Sequence, residues 1–301
     1  MSATLLVADR VSQRFGGIQA VDDVSFALTE SEIVALIGPN GAGKTTLVNL
    51  MTGVHRATDG HIRFQGNDVT DQRPFQAARR GIARTFQIVQ PFPRMTVLEN
   101  VAAGALFGGA QASVAAAKAV AREQLEFMGL ASYADRPASA LTLAGRKRLE
   151  LARALATEPR VLLLDEVIAG VNPVEALQMT DLIRSVRTKR GLSIILIEHV
   201  MPAVMRLSDR VIVLDAGKKI AEGRPQEVVK DPRVIAAYLG ESAVDSAAAA
   251  RGGESIPTPA SSSSAAARPT PPSNPTPTST STKGGATTPL STSKKGPGER
   301  Q

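Results

Sequence analysis

The sequence predicts an α/β fold with a mostly parallel core sheet and an N-terminal antiparallel β-subdomain ahead of it. Three observations carry this. Ile33-Val-Ala-Leu-Ile-Gly-Pro-Asn-Gly-Ala-Gly-Lys-Thr-Thr-Leu47 reads as strand, glycine loop and helix. Val161-Leu-Leu-Leu-Asp-Glu166 is a continuous apolar run, the pattern of a strand buried on both faces as in a parallel sheet. Similar runs recur at 193–197 and 211–214.

In chain order, 4–15 and 18–28 alternate apolar and polar residues and read as two antiparallel strands. The loop Gly38, Pro39, Asn40, Gly41, Ala42, Gly43, Lys44, Thr45, Thr46 follows the next strand and fits the pattern G-x-x-x-x-G-K-[ST]. Such a loop turns backbone N–H groups inward, and the helix N-terminus behind it adds partial positive charge, so a polyphosphate fits there. Lys44 supplies a full charge to the β- and γ-phosphates, and the Thr45 hydroxyl is placed for Mg²⁺. Residues 60–64 read as a further strand, with a turn at Gly66-Asn67.

After residues 82–87, Thr96 and Glu99 have the spacing of a capping box and open a helical region. The stretch 101–121 is apolar but rich in Ala and Gly, carries Gln111, Ser113 and Lys118, and is broken at Gly108-Gly109. It therefore reads as loop and helix rather than a membrane span. Apolar positions at Leu125, Met128 and Leu130 continue the helical region, and 141–155 forms a further helix with Leu149, Ala152 and Leu155 on one face.

Two carboxylates at the end of a buried strand are a poor choice for stability alone. At the carboxyl edge of a parallel sheet they lie beside the phosphate loop, where Asp165 suits a Mg²⁺ shell and Glu166 can take a proton from attacking water. The strand at 193–197 ends in Glu198-His199, which directs His199 at the same site.

The 301 residues contain no cysteine and three histidines, excluding disulfides and leaving little for a zinc site. The net charge of +7 comes in short basic groups without interleaved aromatic residues, which gives no support for nucleic-acid binding. No signal peptide is visible, which suits a cytoplasmic protein. From 242 onward the chain is rich in Ser, Thr, Pro and Ala with almost no large apolar residues, and is expected to be a disordered tail.

The order of phosphate loop, Gln87, the helix start at 141, Leu164-Asp-Glu166 and His199 resembles that of ATP-binding-cassette (ABC) ATPases, over roughly 5–240. Finer matches are similar to the ATPase subunits of branched-chain amino-acid importers: Arg14-Phe-Gly-Gly17, Ala83-Arg-Thr-Phe-Gln87, Arg148-Leu-Glu-Leu-Ala-Arg153, Ile197-Glu-His-Val-Met201 and Tyr238-Leu-Gly-Glu241. Related cassettes export lipids or carry urea and short amides. The resemblance implies a P-loop NTPase cassette over 1–241 with an inserted helical subdomain at about 88–158. It implies that Phe15 stacks on adenine and Gln87 touches Mg²⁺ and the attacking water. Glu166 would be the general base, and His199 would contact the γ-phosphate. It also implies a second ABC ATPase subunit, each phosphate loop facing the other's signature. Two membrane permeases and, indirectly, a periplasmic or extracellular substrate-binding protein would complete an importer at the cytoplasmic face of the membrane.

The sequence departs from the family pattern at two places. The signature Leu-Ser-Gly-Gly-Gln stands here as Leu141-Thr-Leu-Ala-Gly145, in which Thr142 keeps a hydroxyl, Ala144 replaces a glycine and Gly145 ends the motif. Asn172 stands where an aspartate is usual. Both fit a heterodimer whose partner has a standard signature. A soluble cassette acting without a transporter is the alternative. Against it stand the single cassette in the chain, the absence of a long coiled-coil insertion, and an insert of permease-docking size.

Overall fold

The computed structural model describes residues 3–108 and 111–239. The boundary at 241 and the tail expected to be disordered lie outside the described residues.

Strands β1 (Thr4–Phe15) and β2 (Ile18–Thr29) form an antiparallel pair closed at Gly16, which turns at φ +57°. Strand β3 (Ile33–Ile37) runs into the phosphate loop, and helix α1 (Lys44–Met51) leaves it. Strands β4 (Asp59–Phe64) and β5 (Asn67–Asp68) add to β1, giving the order β2-β1-β4-β5. The turn expected at Gly66-Asn67 falls one residue earlier, because Asn67 already pairs with Phe64.

Two short elements then appear that the hydrophobic pattern does not announce, helix α2 (Pro74–Arg80) and strand β6 (Ile82–Arg84). Three residues are too few to show a period; β6 exists because it pairs in parallel with β7 (Val161–Asp165). Between them lie helices α3 (Val97–Phe107), α4 (Val114–Phe127) and α5 (Leu143–Leu155). The Thr96–Glu99 capping box forms in both directions, at 3.1 and 2.8 Å. Gly104 of α3 lies so close to α5 that a Cβ there would stand 2.6 Å from the Arg153 carbonyl, so the two helices touch backbone to backbone.

Two helix ends differ from the sequence expectation. Helix α5 begins at Leu143 rather than at 141, because the Thr142 side chain accepts the Gly145 N–H at 3.2 Å and so becomes the N-cap. Helix α4 stops at Phe127, and Met128 and Leu130 are buried from the turn that follows, where Gly129 takes φ +69°.

Helix α6 (Pro173–Arg190) leads to β8 (Ser193–Ile197), α7 (Met201–Leu207), β9 (Arg210–Asp215), β10 (Lys218–Gly223), α8 (Pro225–Val228) and α9 (Pro232–Leu239). The core sheet has the order β10-β9-β3-β8-β7-β6, with all neighbours parallel except β10. Every residue of β3, β7 and β8 is buried, as their unbroken apolar runs require.

Alternate residues of these strands feed two cores. Leu162, Leu164, Ile194 and Leu196 pack towards the helices that include α5 and α6. Val161, Leu163, Ile195 and Ile197 pack with α1 and the antiparallel sheet. This layering places the carboxyl ends of β3, β7 and β8 side by side. Among the described residues, no helix is long and apolar enough to cross a membrane.

Candidate functional site

The phosphate loop owes its shape to three glycines with positive φ, at +147° (Gly38), +81° (Gly41) and +97° (Gly43). Gly38 and Gly43 are also confined: a Cβ would stand 2.0 Å from the Leu214 carbonyl at the first and 2.4 Å from the Ala20 carbonyl at the second. Lys44 folds back over the loop and donates to the carbonyls of Gly38 and Pro39, both at 2.8 Å. Burial lowers its pKa, while the negative charges of Glu166 and Asp165 pull it up again.

Asp165 ends β7 almost fully buried, and burial raises its pKa against the pull of Arg84. The Arg84 guanidinium donates to Asp165 Oδ2 at 3.4 Å and to Asn49 Oδ1 at 2.6 Å. Asp165, Thr45 and Gln87 line one cavity of about 440 Å³ with Arg84, Phe86 and Glu150 among its other walls. A hydroxyl, an amide and one carboxylate are hard oxygen donors of the kind Mg²⁺ takes together with water and substrate phosphates, rather than a closed protein cage. No cluster of three or more His, Cys, Asp or Glu able to hold a metal occurs among the described residues.

Glu166 sits in the turn after β7 at φ +52°, a left-handed conformation for a residue with a side chain. The turn is held by its N–H, which donates to the Ile197 carbonyl of β8 at 2.9 Å. Its carboxylate accepts from Gln87 Nε2 at 2.9 Å on one oxygen and has His199 Nδ1 3.8 Å from the other. Gln87, Glu166 and His199, distant in sequence, thus meet beside the phosphate loop.

Phe15, at the end of β1, is half exposed and makes an edge-on contact with the His55 ring at 5.2 Å. Its exposed face suits a flat aromatic ring. Thr142, Ala144 and Gly145 stand apart from this group, on a separate concavity of about 210 Å³ lined also by Tyr133 and Arg148. Thr142 is exposed and occupied in capping α5, whereas Ala144 is buried.

Comparison with known proteins matches residues 21–169 to the family pattern described as ABC transporter, and 218–244 to that of branched-chain amino acid ATP-binding cassette transporters. Over 255 residues the chain is 42% identical to the high-affinity branched-chain amino acid transport ATP-binding protein LivG of Salmonella typhimurium, covering 80% of this chain and all of that one. The chain belongs to the ABC transporter ATP-binding family. The corresponding protein BraF of Pseudomonas aeruginosa is 38% identical, with 80% of this chain and all of BraF covered. Among solved structures, a nucleotide-free cassette from an ABC transporter superposes with a TM-score of 0.73 at 33% identity, covering 79% of this chain and all of that one. An ABC transporter cassette in its ADP conformation superposes with a TM-score of 0.72 at 34% identity, covering 80% and 100%.

As an ABC cassette, the chain has a nucleotide site more charged than its motifs reveal. Arg84, the counter-charge of Asp165, lies on the strand that sequence reasoning missed. Asn172 caps α6 by accepting the Glu175 N–H at 2.9 Å, a role for which Asn is as fit as Asp. Glu198 is buried, holds the Ile168 N–H at 2.7 Å on Oε1 and has no partner on Oε2 among the described residues. Burial pushes its carboxyl up to about 7, against the pull of the Ile168 N–H and of Lys147. Its only signal in the sequence is a charged residue closing an apolar strand.

Proposed function

We propose that this ABC ATPase is the motor subunit of an importer for branched-chain amino acids or related amino acids and amides. The observation that carries the ATPase chemistry is the meeting of Gln87, Glu166 and His199 beside the loop gripped by Lys44. The substrate class is supported by identity with LivG and BraF along their whole lengths, whose names state branched-chain amino acid transport.

In this reading the loop amides and Lys44 bind the β- and γ-phosphates, and Phe15 stacks on the adenine. Thr45, Asp165 and Gln87 would hold Mg²⁺, which neutralises charge on the phosphates when bound. Glu166 accepts a proton from the attacking water, with Gln87 fixing its carboxylate, and His199 contacts the γ-phosphate. Residues Thr142, Ala144 and Gly145 lie outside this cluster, on their own concavity. That separation supports a role toward the ATP of a second cassette, in a dimer either homomeric or heteromeric.

Two permeases would dock on the exposed side chains Phe86, Ile88 and Phe92 next to Gln87. Of these, Phe86 and Ile88 line the same cavity as Thr45 and Asp165. Docking there would hold the chain at the cytoplasmic face of the membrane and link it, through the permeases, to a substrate-binding protein. Uptake of labelled leucine, isoleucine and valine by cells lacking the chain tests the reading. Wild-type chain is expected to restore uptake and Lys44→Ala to leave it abolished. Unchanged uptake in the deletion strain, with loss of an unrelated transport activity, would overturn the substrate assignment.

A further inference from the structure

Helix α5 starts at the signature, yet one of its faces holds the two loops that carry Gln87 and Glu166. Lys147 is only 6% exposed, and its ammonium donates to the carbonyl of Glu166 at 2.8 Å and to that of Ala169 at 2.5 Å. Glu150 stands three residues further on, on the same helix face, and is 7% exposed. Its carboxylate accepts the N–H of Phe86, the neighbour of Gln87, at 2.7 Å. The two loops then meet through the Gln87–Glu166 hydrogen bond.

A buried ammonium and a buried carboxylate are costly places to hold a helix, and apolar side chains of similar length would pack there at lower cost. Burial lowers the Lys147 pKa, and the carboxylates of Glu198, Glu166 and Glu150 oppose it. What these side chains supply, and apolar ones cannot, is a directional grip on backbone atoms adjoining both reactive side chains.

We infer that Lys147 and Glu150 are positioning residues that couple the signature end of α5 to Glu166 and Gln87 of the same chain. Engagement of the α5 N-terminus with the ATP of a second cassette would shift the helix. Lys147 would carry that shift into the Glu166 turn, and Glu150 would carry it into the Gln87 loop. This rests on the functional reading above.

The test uses the full chain co-purified with its membrane and cassette partners. Lys147→Met keeps the stem of the side chain and removes its donors. It is expected to lower kcat by about 10- to 100-fold, the cost of slightly misplaced catalytic groups, while leaving the ATP affinity of the folded chain near wild type. Lys147→Arg, which can reach both carbonyls, is expected to restore most of the rate. Glu150→Leu is expected to lower kcat similarly, and the double variant to be no slower than the slower single, because the two act as one unit. If Lys147→Met yields no folded chain, Lys147→Gln, which keeps one donor, is expected to give an intermediate rate.

Wild-type kcat in Lys147→Met, or losses that multiply in the double variant, would overturn the inference. Failure of Lys147→Arg to recover any rate would do the same. Glu166→Gln run in parallel separates the two claims: if it too hydrolyses ATP normally, the ATPase assignment has failed rather than the coupling.

Discussion

Glu198→Gln is expected to change how stability depends on pH, and the size of the effect follows from the position of the side chain. Burial holds the Glu198 carboxyl at about 7, against 4.5 for a free glutamate. The folded protein therefore binds this proton more tightly than the unfolded chain, so the protonated form stabilises the fold. That stabilisation is complete below about pH 4.5 and is lost as pH rises to 7. At 1.36 kcal/mol per unit, the full term is about 3 kcal/mol, of which roughly 2.5 kcal/mol falls between pH 5 and 8.5.

Glutamine keeps an oxygen for the Ile168 N–H and cannot ionise, so the variant lacks this term. Urea denaturation of both proteins at several pH values isolates it, because all other titrating groups are shared. The variant is expected to gain on the wild type steadily from pH 5 to 7 and to hold that gain above pH 7. Stability curves that run parallel across this range would mean that Glu198 ionises freely in the folded protein and that its burial does not hold the proton.

Two further substitutions test the site from its frame. Gly43→Ala puts a methyl 2.4 Å from the Ala20 carbonyl at φ +97°, so equilibrium binding should show ATP affinity lost together with some stability. The left-handed backbone alone accounts for roughly 1–2 kcal/mol. Arg84→Leu strands the buried Asp165 carboxylate, and denaturation at pH 7.5 should read a loss of about 3–5 kcal/mol, shrinking in acid as Asp165 protonates.

The parts of the fold legible in the sequence are those with enough residues to show a period or a motif. The five-residue runs of β3, β7 and β8 could be seen because both their faces are buried. The long alternation of β1 and β2 was equally plain. Strand β6 was not, since its three residues are defined by pairing with β7 rather than by their own pattern. The start of α5 was misplaced by two residues because Thr142 caps the helix and does not enter it.

The same division holds in the site. Gln87, Glu166 and His199 were expected near the phosphates from motif order, and the sheet brings them together. Arg84, Lys147, Glu150 and Glu198 were not singled out, because their roles depend on partners 19 to 81 residues away that only the fold supplies.

The most direct test of the central claim is to measure ATP affinity and ATP turnover of Glu166→Gln beside the wild type, each purified with its partner subunits. ATP binding is expected to persist and turnover to fall by about 10²–10⁴-fold, the worth of a general base. Turnover at the wild-type rate, with ATP bound as before, would contradict that claim and place the proton acceptor elsewhere.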